Sequence, residues 1–300
     1  MRKLALTMAL VLTAACDDAV GPSPQVAGPQ DVTPQILVSR VGFHIGDLAE
    51  LKAALAECRT SLIIDKPIDF DEPSDAIDLD VLMANCKTNQ LVLQGGGDWA
   101  SGQFNRLASF AQPLIKAGHS RDWEFRFSGL RFDGWNFEGP ALDLGYVQLS
   151  RFDDIIVQRF GGPEPFAVGR LAATSATEFR DVQLNWNRYP SVIFNASDVR
   201  WRGGALHSNW KGWNSGLIIR GQPHNPPVTT GGPVLVEDLH LEGSKVLIER
   251  ARAVTIRGGY WFMARGDLNS NVGLTIQCNG MYWSEGSGGI FVNGEKFCGN

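Results

Sequence analysis

The sequence predicts an all-β fold in which short parallel strands stack into a solenoid, and three observations predict it. First, residues 123–283 repeat a pattern of alternating apolar and polar residues on either side of a short turn, and alternation with period two is typical of strands. Second, the apolar residue after the turn recurs at spacings of 25, 27, 23, 34, 21 and 21 residues, as in a solenoid. Third, the turn holds only Gly or Asp, which tolerate the left-handed backbone of a sharp corner. These turn residues are Gly129, Asp154, Asp181, Gly204, Asp238, Gly259 and Gly280.

One strand–turn–strand unit in each such repeat suits one coil of a parallel β-helix, whose stacked strands lie about 4.8 Å apart. The pattern over residues 62–292 resembles the right-handed parallel β-helix superfamily, the pectate-lyase-like fold. The resemblance implies a single right-handed parallel β-helix and a polysaccharide as the class of ligand. It brings no catalytic motif, because the chain lacks the Asn-Thr-Asp, Gly-His-Gly and Arg-Ile-Lys sequences of the polygalacturonase branch.

Residues 1–15 have the layout of a signal peptide, with Arg2 and Lys3 followed by an apolar run and two alanines. The run is too short to span a membrane. Two small residues directly before Cys16 resemble a bacterial lipoprotein processing site, which makes Cys16 the expected lipidated N-terminus. Thr13 stands where that site usually has leucine, so plain secretion stays open as the alternative. Either route predicts a protein of the cell envelope or its exterior, with membrane contact through the lipid alone.

Residues 16–35 are rich in Pro, Gly and Asp and predict a flexible tether. The β-helix domain then covers residues 36–300 and begins with a helix over residues 47–58. Asp47 and Glu50 form a start similar to a capping box. Leu48, Leu51, Ala54 and Leu55 fall on one face of this helix. We expect the helix to cover the N-terminal end of the solenoid, because an open end exposes apolar core and strand edges.

The alternation also predicts which residues form the core. One residue on either side of each corner points inward, and the next residue along the strand points outward. The expected inward residues are Phe127, Leu130, Phe132, Phe152, Ile155, Phe179, Val182, Val236, Leu239, Leu241, Ile256 and Leu274.

Four cysteines remain beyond Cys16, and an even number in an exported chain indicates disulfides. Cys58 and Cys86 lie near the first repeats, while Cys278 and Cys298 lie near the last. Local pairing predicts Cys58–Cys86 and Cys278–Cys298, one bond at each end. Metal binding by these cysteines is the weaker interpretation, since no Cys-x-x-Cys motif or histidine cluster accompanies them.

The charge excludes one class of partner. The chain carries 27 basic and 32 acidic residues, a formal charge of −5, and shows no basic stripe, so nucleic-acid binding is not expected. The longest interval between corners contains residues 212–232. Such an insertion lines a binding face in some solenoids and is a tolerated surface loop in others.

Outward side chains on stacked strands should form ladders, and the sequence predicts a polar strip bordered by aromatic residues. Sugars have apolar ring faces and hydroxyl edges, so such a strip suits a glycan groove. Tryptophans also stack along solenoids without binding anything, so that interpretation stays open. The candidate substrate-binding residues are Arg131, Asp133, Trp135, Gln183, Asn185, Trp186, Asn209 and Trp210.

His207, His240 and Glu242 are the candidate acid–base residues. We expect His207 and His240 on neighbouring strands in one row, provided that the turn before His207 is one residue longer than the others. A carboxylate beside a histidine raises the histidine pKa toward neutrality. Surface histidines beside a charge often have no catalytic role. Asp153, Asp154 and Asp181 are a weaker carboxylate cluster, because turn geometry already explains Asp at a corner.

Two functions follow from the sequence. The first is an exported protein that binds or cleaves a polysaccharide, and the second is a non-catalytic structural or adhesion protein of the envelope. A lyase needs a base near an acidic sugar and often calcium, whereas a hydrolase needs two carboxylates at a workable separation. The sequence satisfies neither requirement cleanly and shows no other cofactor or metal site.

Overall fold

The computed structural model describes residues 42–97, 101–171, 174–208, 216–221, 232–284 and 287–299. The residues outside these ranges include Cys16, Asn209, Trp210, the signal peptide, the tether and, within the 212–232 insertion, residues 212–215 and 222–231. Strands dominate the described part of the chain, with two short α-helices and one 3-10 turn. This composition confirms the all-β class. In the described part, no helix has the length and apolar character needed to cross a membrane.

The helical segments are α1 (Leu48–Ala56), α2 (Leu79–Leu82) and the 3-10 turn Pro73–Asp75. The strands are short and follow one another along the chain. They are β1 (Phe43–Ile45), β2 (Ser61–Ile64), β3 (Ile68–Phe70), β4 (Ile77–Asp78), β5 (Gln90–Gly95), β6 (Gln103–Arg106), β7 (Ile115–Ala117), β8 (Glu124–Asp133), β9 (Leu142–Leu144), β10 (Arg151–Gln158), β11 (Phe166–Val168), β12 (Thr174–Arg180), β13 (Gln183–Asn185), β14 (Ser191–Arg202), β15 (Ala205–His207), β16 (Gly216–Gly221), β17 (Pro233–Glu237), β18 (His240–Glu242), β19 (Lys245–Glu249), β20 (Arg252–Arg257), β21 (Tyr260–Phe262), β22 (Arg265–Asn269), β23 (Val272–Gln277), β24 (Tyr282–Trp283), β25 (Gly289–Val292) and β26 (Glu295–Cys298).

Three ladders of parallel pairs connect these strands. The first ladder joins β1, β2, β5, β8, β10, β12, β14, β17, β20 and β23 in that order. The second joins β3, β6, β8, β10, β13, β15, β18, β21 and β24. The third joins β4, β7, β9, β11, β14, β16, β19, β22 and β25. β25 then pairs with β26 in antiparallel orientation, so the sheet is mixed.

The corners between the first and second ladders adopt the predicted left-handed conformation. All seven turn residues have positive φ, from 50° at Asp154 to 95° at Gly259. Gly204 is needed for a second reason, because a Cβ there would lie 2.1 Å from the carbonyl oxygen of Val182. The Gly and Asp pattern therefore identified real corners.

The core lies between the ladders and is largely aromatic along the first ladder. The rings of Phe152 and Phe179 stack at 5.1 Å, and Phe179 stacks on Trp201 at the same distance. Eleven of the twelve predicted inward residues are buried, and Leu274 is partly buried against the same core. Burial of such rings stabilises the stack both through lost apolar surface and through ring contacts.

Helix α1 begins as predicted. The side chain of Asp47 accepts a hydrogen bond from the Glu50 amide at 2.8 Å, and Glu50 in turn accepts one from the Gly46 amide. The helix buries Leu51, Ala54 and Leu55. The structure also contains the Cys58–Cys86 and Cys278–Cys298 disulfides, which favour an oxidising, extracytoplasmic setting.

Candidate functional site

The outward face of the second ladder carries two rows of side chains, which we call the polar strip. In each strand the two outward positions lie two residues apart, because side chains alternate across a strand. The first row contains Gln103, Arg131, Ile156, Gln183, Ala205, His240, Tyr260 and Tyr282. The second row contains Asn105, Asp133, Gln158, Asn185, His207, Glu242 and Phe262.

The register corrects the predicted place of His207. It lies in the second row, between Asn185 and Glu242, while Ala205 holds the expected first-row position beside His240. The turn at Gly203 and Gly204 has no extra residue. Instead, Gly204 takes the place that an inward apolar residue fills in other repeats, where it contacts the backbone of Val182.

The repeat with Gly258 and Gly259 has the same arrangement. Counted from the apolar residue after the turn, the sequence places Trp261 in the first outward row, but Trp261 pairs with Leu241 and is buried. Tyr260 takes the outward position instead. In a Gly-Gly corner the second glycine takes the position of the inward apolar residue, and the turn keeps its length. A single sequence does not distinguish this arrangement from a turn that is one residue longer.

The N-terminal half of the polar strip is centred on Asp133. This carboxylate is 0% exposed and accepts hydrogen bonds from both the Nε and Nη2 of Arg159. Gln158 Nε2 donates to it at 2.7 Å, and the Trp135 amide donates at 3.2 Å. Arg131 lies 3.9 Å away. Asp133 was expected to contact a sugar directly, but its partners enclose it, so it can act only by positioning Arg131 and Arg159.

Two tryptophans stand at the far edge of the polar strip, in the corner that follows the second ladder. Trp135 is 49% exposed and Trp186 is 42% exposed. Both have positive φ, 47° and 56° respectively, which is an unfavourable backbone conformation for a bulky residue. The guanidinium of Arg159 lies 4.1 Å from the centre of the Trp135 ring. These exposed rings are therefore held in place by the corner and, for Trp135, by a cation–π contact.

The middle of the polar strip is a pair of amides. Asn185 Nδ2 donates to Gln183 Oε1 at 3.2 Å. Asn185 is only 6% exposed, and its buried Oδ1 has no hydrogen-bond partner among the residues that the structure describes. An unpaired buried acceptor is costly in a folded protein, so the burial of Asn185 Oδ1 requires an explanation other than fold stability.

The C-terminal half of the polar strip contains the acid–base candidates. His207 Nε2 lies 3.9 Å from Glu242 Oε2, and the His207 and His240 ring centres are 5.3 Å apart. Burial lowers the pKa of His207 below its ordinary value, the Glu242 carboxylate acts in the opposite direction, and His240 adds to the lowering. The neutral imidazole of His207 is thus favoured. One potential metal-ligating atom from each of the three residues lies within 4.8 Å of the others.

Aromatic side chains continue the first row beyond these histidines. His240 packs against Tyr260 with 4.8 Å between ring centres, and Tyr260 stacks on Tyr282 at 4.8 Å with nearly parallel planes. Tyr282 is 59% exposed. The alternation after Gly280 in the sequence predicts that Tyr282 lies on this face, whereas the Gly-Gly corner hides the outward position of Tyr260.

A separate concavity of about 440 Å³ lies away from the polar strip, and Phe110, Glu138, Asp143, Glu164 and Arg170 are among the residues that line it. Arg170 donates to Asp143 at 2.9 Å and to Glu164 at 2.5 Å. Arg170 is thus paired with two of the carboxylates that line this concavity. No motif in the sequence pointed to the concavity, since its residues come from separate repeats.

Comparisons with known proteins leave the family open. No family model matches the chain, and no curated protein matches it. Among solved structures, the chain is similar to ORF18 of Geobacillus virus E2, with 10% sequence identity and a TM-score of 0.41. The match covers 82% of this chain and 56% of that one, so this chain spans little more than half the length of that protein.

Proposed function

We propose that the chain is an exported right-handed parallel β-helix that binds a polysaccharide through the polar strip. The fold proposal is supported by the three parallel ladders, because each links strands of successive repeats in sequence order. Parallel pairing of every repeat with the next is how a solenoid buries its apolar face. The handedness and the pectate-lyase-like relationship come from the sequence resemblance.

The observation that carries the binding proposal is the pair of exposed tryptophans, Trp135 and Trp186. Each occupies a left-handed corner in which Gly or Asn would cost less. A bulky residue kept exposed in an unfavourable conformation points to a role outside folding. The Arg159 guanidinium lies against the Trp135 ring, and the hydrogen-bonded amides of Gln183 and Asn185 directly precede Trp186 in the chain.

This combination matches the chemistry of a sugar chain. Pyranose rings stack their apolar faces on indole rings, and their hydroxyl edges exchange hydrogen bonds with amides and guanidinium groups. The repeats place such groups at regular intervals along the strip, so several sugars of one chain can be contacted together. Arg131 and Arg159 outnumber Asp133, which extends the candidate ligands to acidic sugars.

Cleavage is the second candidate function, and the cluster of His207, His240 and Glu242 favours it. A histidine near a carboxylate can act as a general base or a general acid on a ligand that binds beside it. Under this hypothesis His240→Ala and Glu242→Gln abolish turnover but leave glycan binding unchanged. If neither turnover nor its loss is seen on any glycan, the binding function stands without catalysis.

The cellular setting follows from the sequence and the disulfides. The signal peptide directs export, and Cys16 becomes the acylated N-terminus that holds the protein at the membrane. Replacement of Cys16 by serine should then abolish labelling by a fatty-acid analogue and release the protein into the soluble fraction. Unchanged labelling and fractionation would leave ordinary secretion.

A non-catalytic structural or adhesion role in the envelope is the alternative function, and it does not require affinity for a soluble glycan.

A glycan panel tests the binding proposal. The panel should include neutral and acidic polysaccharides, and it should be probed with the native protein, Trp135→Ala and Trp186→Ala. One stacking contact contributes about 0.5–1.5 kcal/mol beyond area burial, so each substitution should weaken binding roughly two- to tenfold. Leu149→Ala is the matched control, because Leu149 is also exposed with positive φ but lies outside the strip. Equal losses in all three variants, or no binding to any glycan, would overturn the proposal.

A further inference from the structure

Three potential metal ligands meet on neighbouring strands of the polar strip. His207 lies opposite Glu242 in the ladder between β15 and β18. His240 precedes Glu242 by two residues on β18, so both side chains leave the same face of the sheet. The triangle is therefore set by the register of the sheet rather than by a loop.

We propose that His207, His240 and Glu242 form a binding site for a divalent transition-metal ion, with zinc as the ion that best fits the ligands. Two imidazoles and one carboxylate are a donor set that zinc takes in open sites, where water or a substrate fills the fourth position. Calcium, which takes six to eight oxygen ligands, does not match two imidazoles. This inference does not depend on glycan binding.

The distances between the ligand atoms are somewhat longer than those around a bound zinc ion, so the side chains have to move closer together to coordinate it. Tetrahedral ligands about 2.1 Å from zinc lie roughly 3.4 Å from one another. Here His207 Nε2 and Glu242 Oε2 are 3.9 Å apart, and no ligating atom of the three is more than 4.8 Å from another. His240 and Glu242 are exposed, so rotation of their side chains can bring the atoms together without moving the backbone.

A second observation points to a ligand at this place. Among the residues that the structure describes, the buried His207 Nε2 has no hydrogen-bond partner, although the Glu242 carboxylate lies just beyond hydrogen-bond distance. A buried nitrogen without a partner is unfavourable, and coordination of a cation removes that cost. Asn185, the ladder neighbour of His207 on the other side, likewise has a buried oxygen without a partner in the described part of the chain. Such an acceptor is suited to orient a metal-ligating histidine from outside the coordination shell.

Two described neighbours of His240 bear on the site. Ala205 stands opposite His240 on the preceding strand, and its methyl group does not compete for a metal. Tyr260 packs against the other side of His240 and supports its ring. The Glu242 carboxylate supplies the negative charge that attracts a cation.

Zinc binding to the full chain tests the proposal directly. The protein should be stripped with a chelator and carry no affinity tag, and Cys16 should be serine in every sample so that no free thiol competes. Calorimetric titration should show one equivalent of zinc bound. Cobalt should give the visible absorption of a four-coordinate ion. His240→Ala and Glu242→Gln, both exposed positions, should each weaken zinc binding by at least about tenfold.

The control is His44→Ala, which removes another exposed histidine that lies 2.8 Å from a carboxylate, that of Asp65. It should leave zinc affinity and the cobalt spectrum unchanged. The proposal is overturned if the native protein binds no stoichiometric zinc, if His240→Ala and Glu242→Gln bind as tightly as the native protein, or if His44→Ala loses the same affinity. Thermal unfolding of each apo variant confirms that folding is intact, since neither exposed side chain supports the core.

Discussion

The two halves of the polar strip share one ladder and one outward direction, yet their acidic side chains differ in burial and in hydrogen bonding. In the N-terminal half, Asp133 is fully enclosed and accepts hydrogen bonds from the side chains of Gln158 and Arg159. In the C-terminal half, the Glu242 side chain is 53% exposed, and the Nε2 of its neighbour His207 stays 3.9 Å away. The Asp133 carboxylate is therefore satisfied by partners within the protein, whereas the Glu242 carboxylate remains accessible to a ligand.

This difference indicates that Asp133 stabilises the fold, whereas Glu242 is available to contact a ligand. A buried carboxylate with several charge-assisted hydrogen bonds is part of the folded structure, and removal of one partner leaves uncompensated charges. An exposed carboxylate beside an unpaired buried nitrogen contributes little to folding and is free to contact a ligand. The positions are equivalent in the ladder, so burial and partners, rather than residue type, decide the role.

The largest expected effect is the loss of stability in Asp133→Ala. The substitution leaves Arg159 and the buried amide of Gln158 without their acceptor. The free energy of unfolding should fall by about 2–4 kcal/mol, as measured by urea denaturation in the presence of a chelator. Glu242→Ala, in the same row, should change it by less than about 0.5 kcal/mol. Equal effects of the two substitutions would remove the contrast between the halves.

A smaller effect is expected at the corner tryptophans. Trp186 has φ of 56°, a conformation that costs an ordinary residue roughly 1–2 kcal/mol relative to glycine. Trp186→Gly should therefore be at least as stable as Trp186→Ala, and we expect a gain of about 1 kcal/mol over the alanine variant. Denaturation curves of the two variants decide this. A glycine variant less stable than the alanine variant would mean that Trp186 is not in a left-handed corner.

The smallest effect is a pH dependence in the C-terminal half. The folded state lowers the pKa of His207, mainly through burial, so the unfolded chain binds a proton more readily. The groups that face it are Glu242 and His240 from β18, while its neighbour on β13 is the uncharged Asn185. Stability from this group is therefore complete above about pH 6.5 and is lost as the pH falls from there through the folded-state pKa.

Denaturation of the native protein and of His207→Gln at several pH values between about 5 and 8 measures this contribution. The native protein should lose more stability than the variant on acidification. Identical pH profiles would show that His207 titrates alike in the folded and unfolded chains.

The sequence predicted the corners and the core because their causes are local. Gly and Asp at positions such as Gly129 and Asp238 tolerate a left-handed corner, and the alternation around them separates inward from outward residues. His207 was placed in the wrong row because a Gly-Gly corner looks one residue longer than the others. The enclosure of Asp133 was not predictable, since Arg159 comes from a corner 26 residues later in the chain.

The disulfides were predictable for a related reason, because each joins cysteines within one end of the chain. His207, His240 and Glu242, which the sequence singled out, do lie close together, but the predicted register was wrong. The correct register changes the arrangement from a row of histidines to a triangle, and the triangle is what suits a metal ion.

A crystal structure of the protein with an oligosaccharide derived from the strongest ligand in the panel tests directly whether the polar strip binds a glycan. We expect sugar rings against Trp135 and Trp186, with hydroxyl groups bonded to Arg131, Arg159 or Gln183 along the outward face of the second ladder. Density for the sugar on another surface, such as the concavity around Phe110 and Arg170, would contradict it.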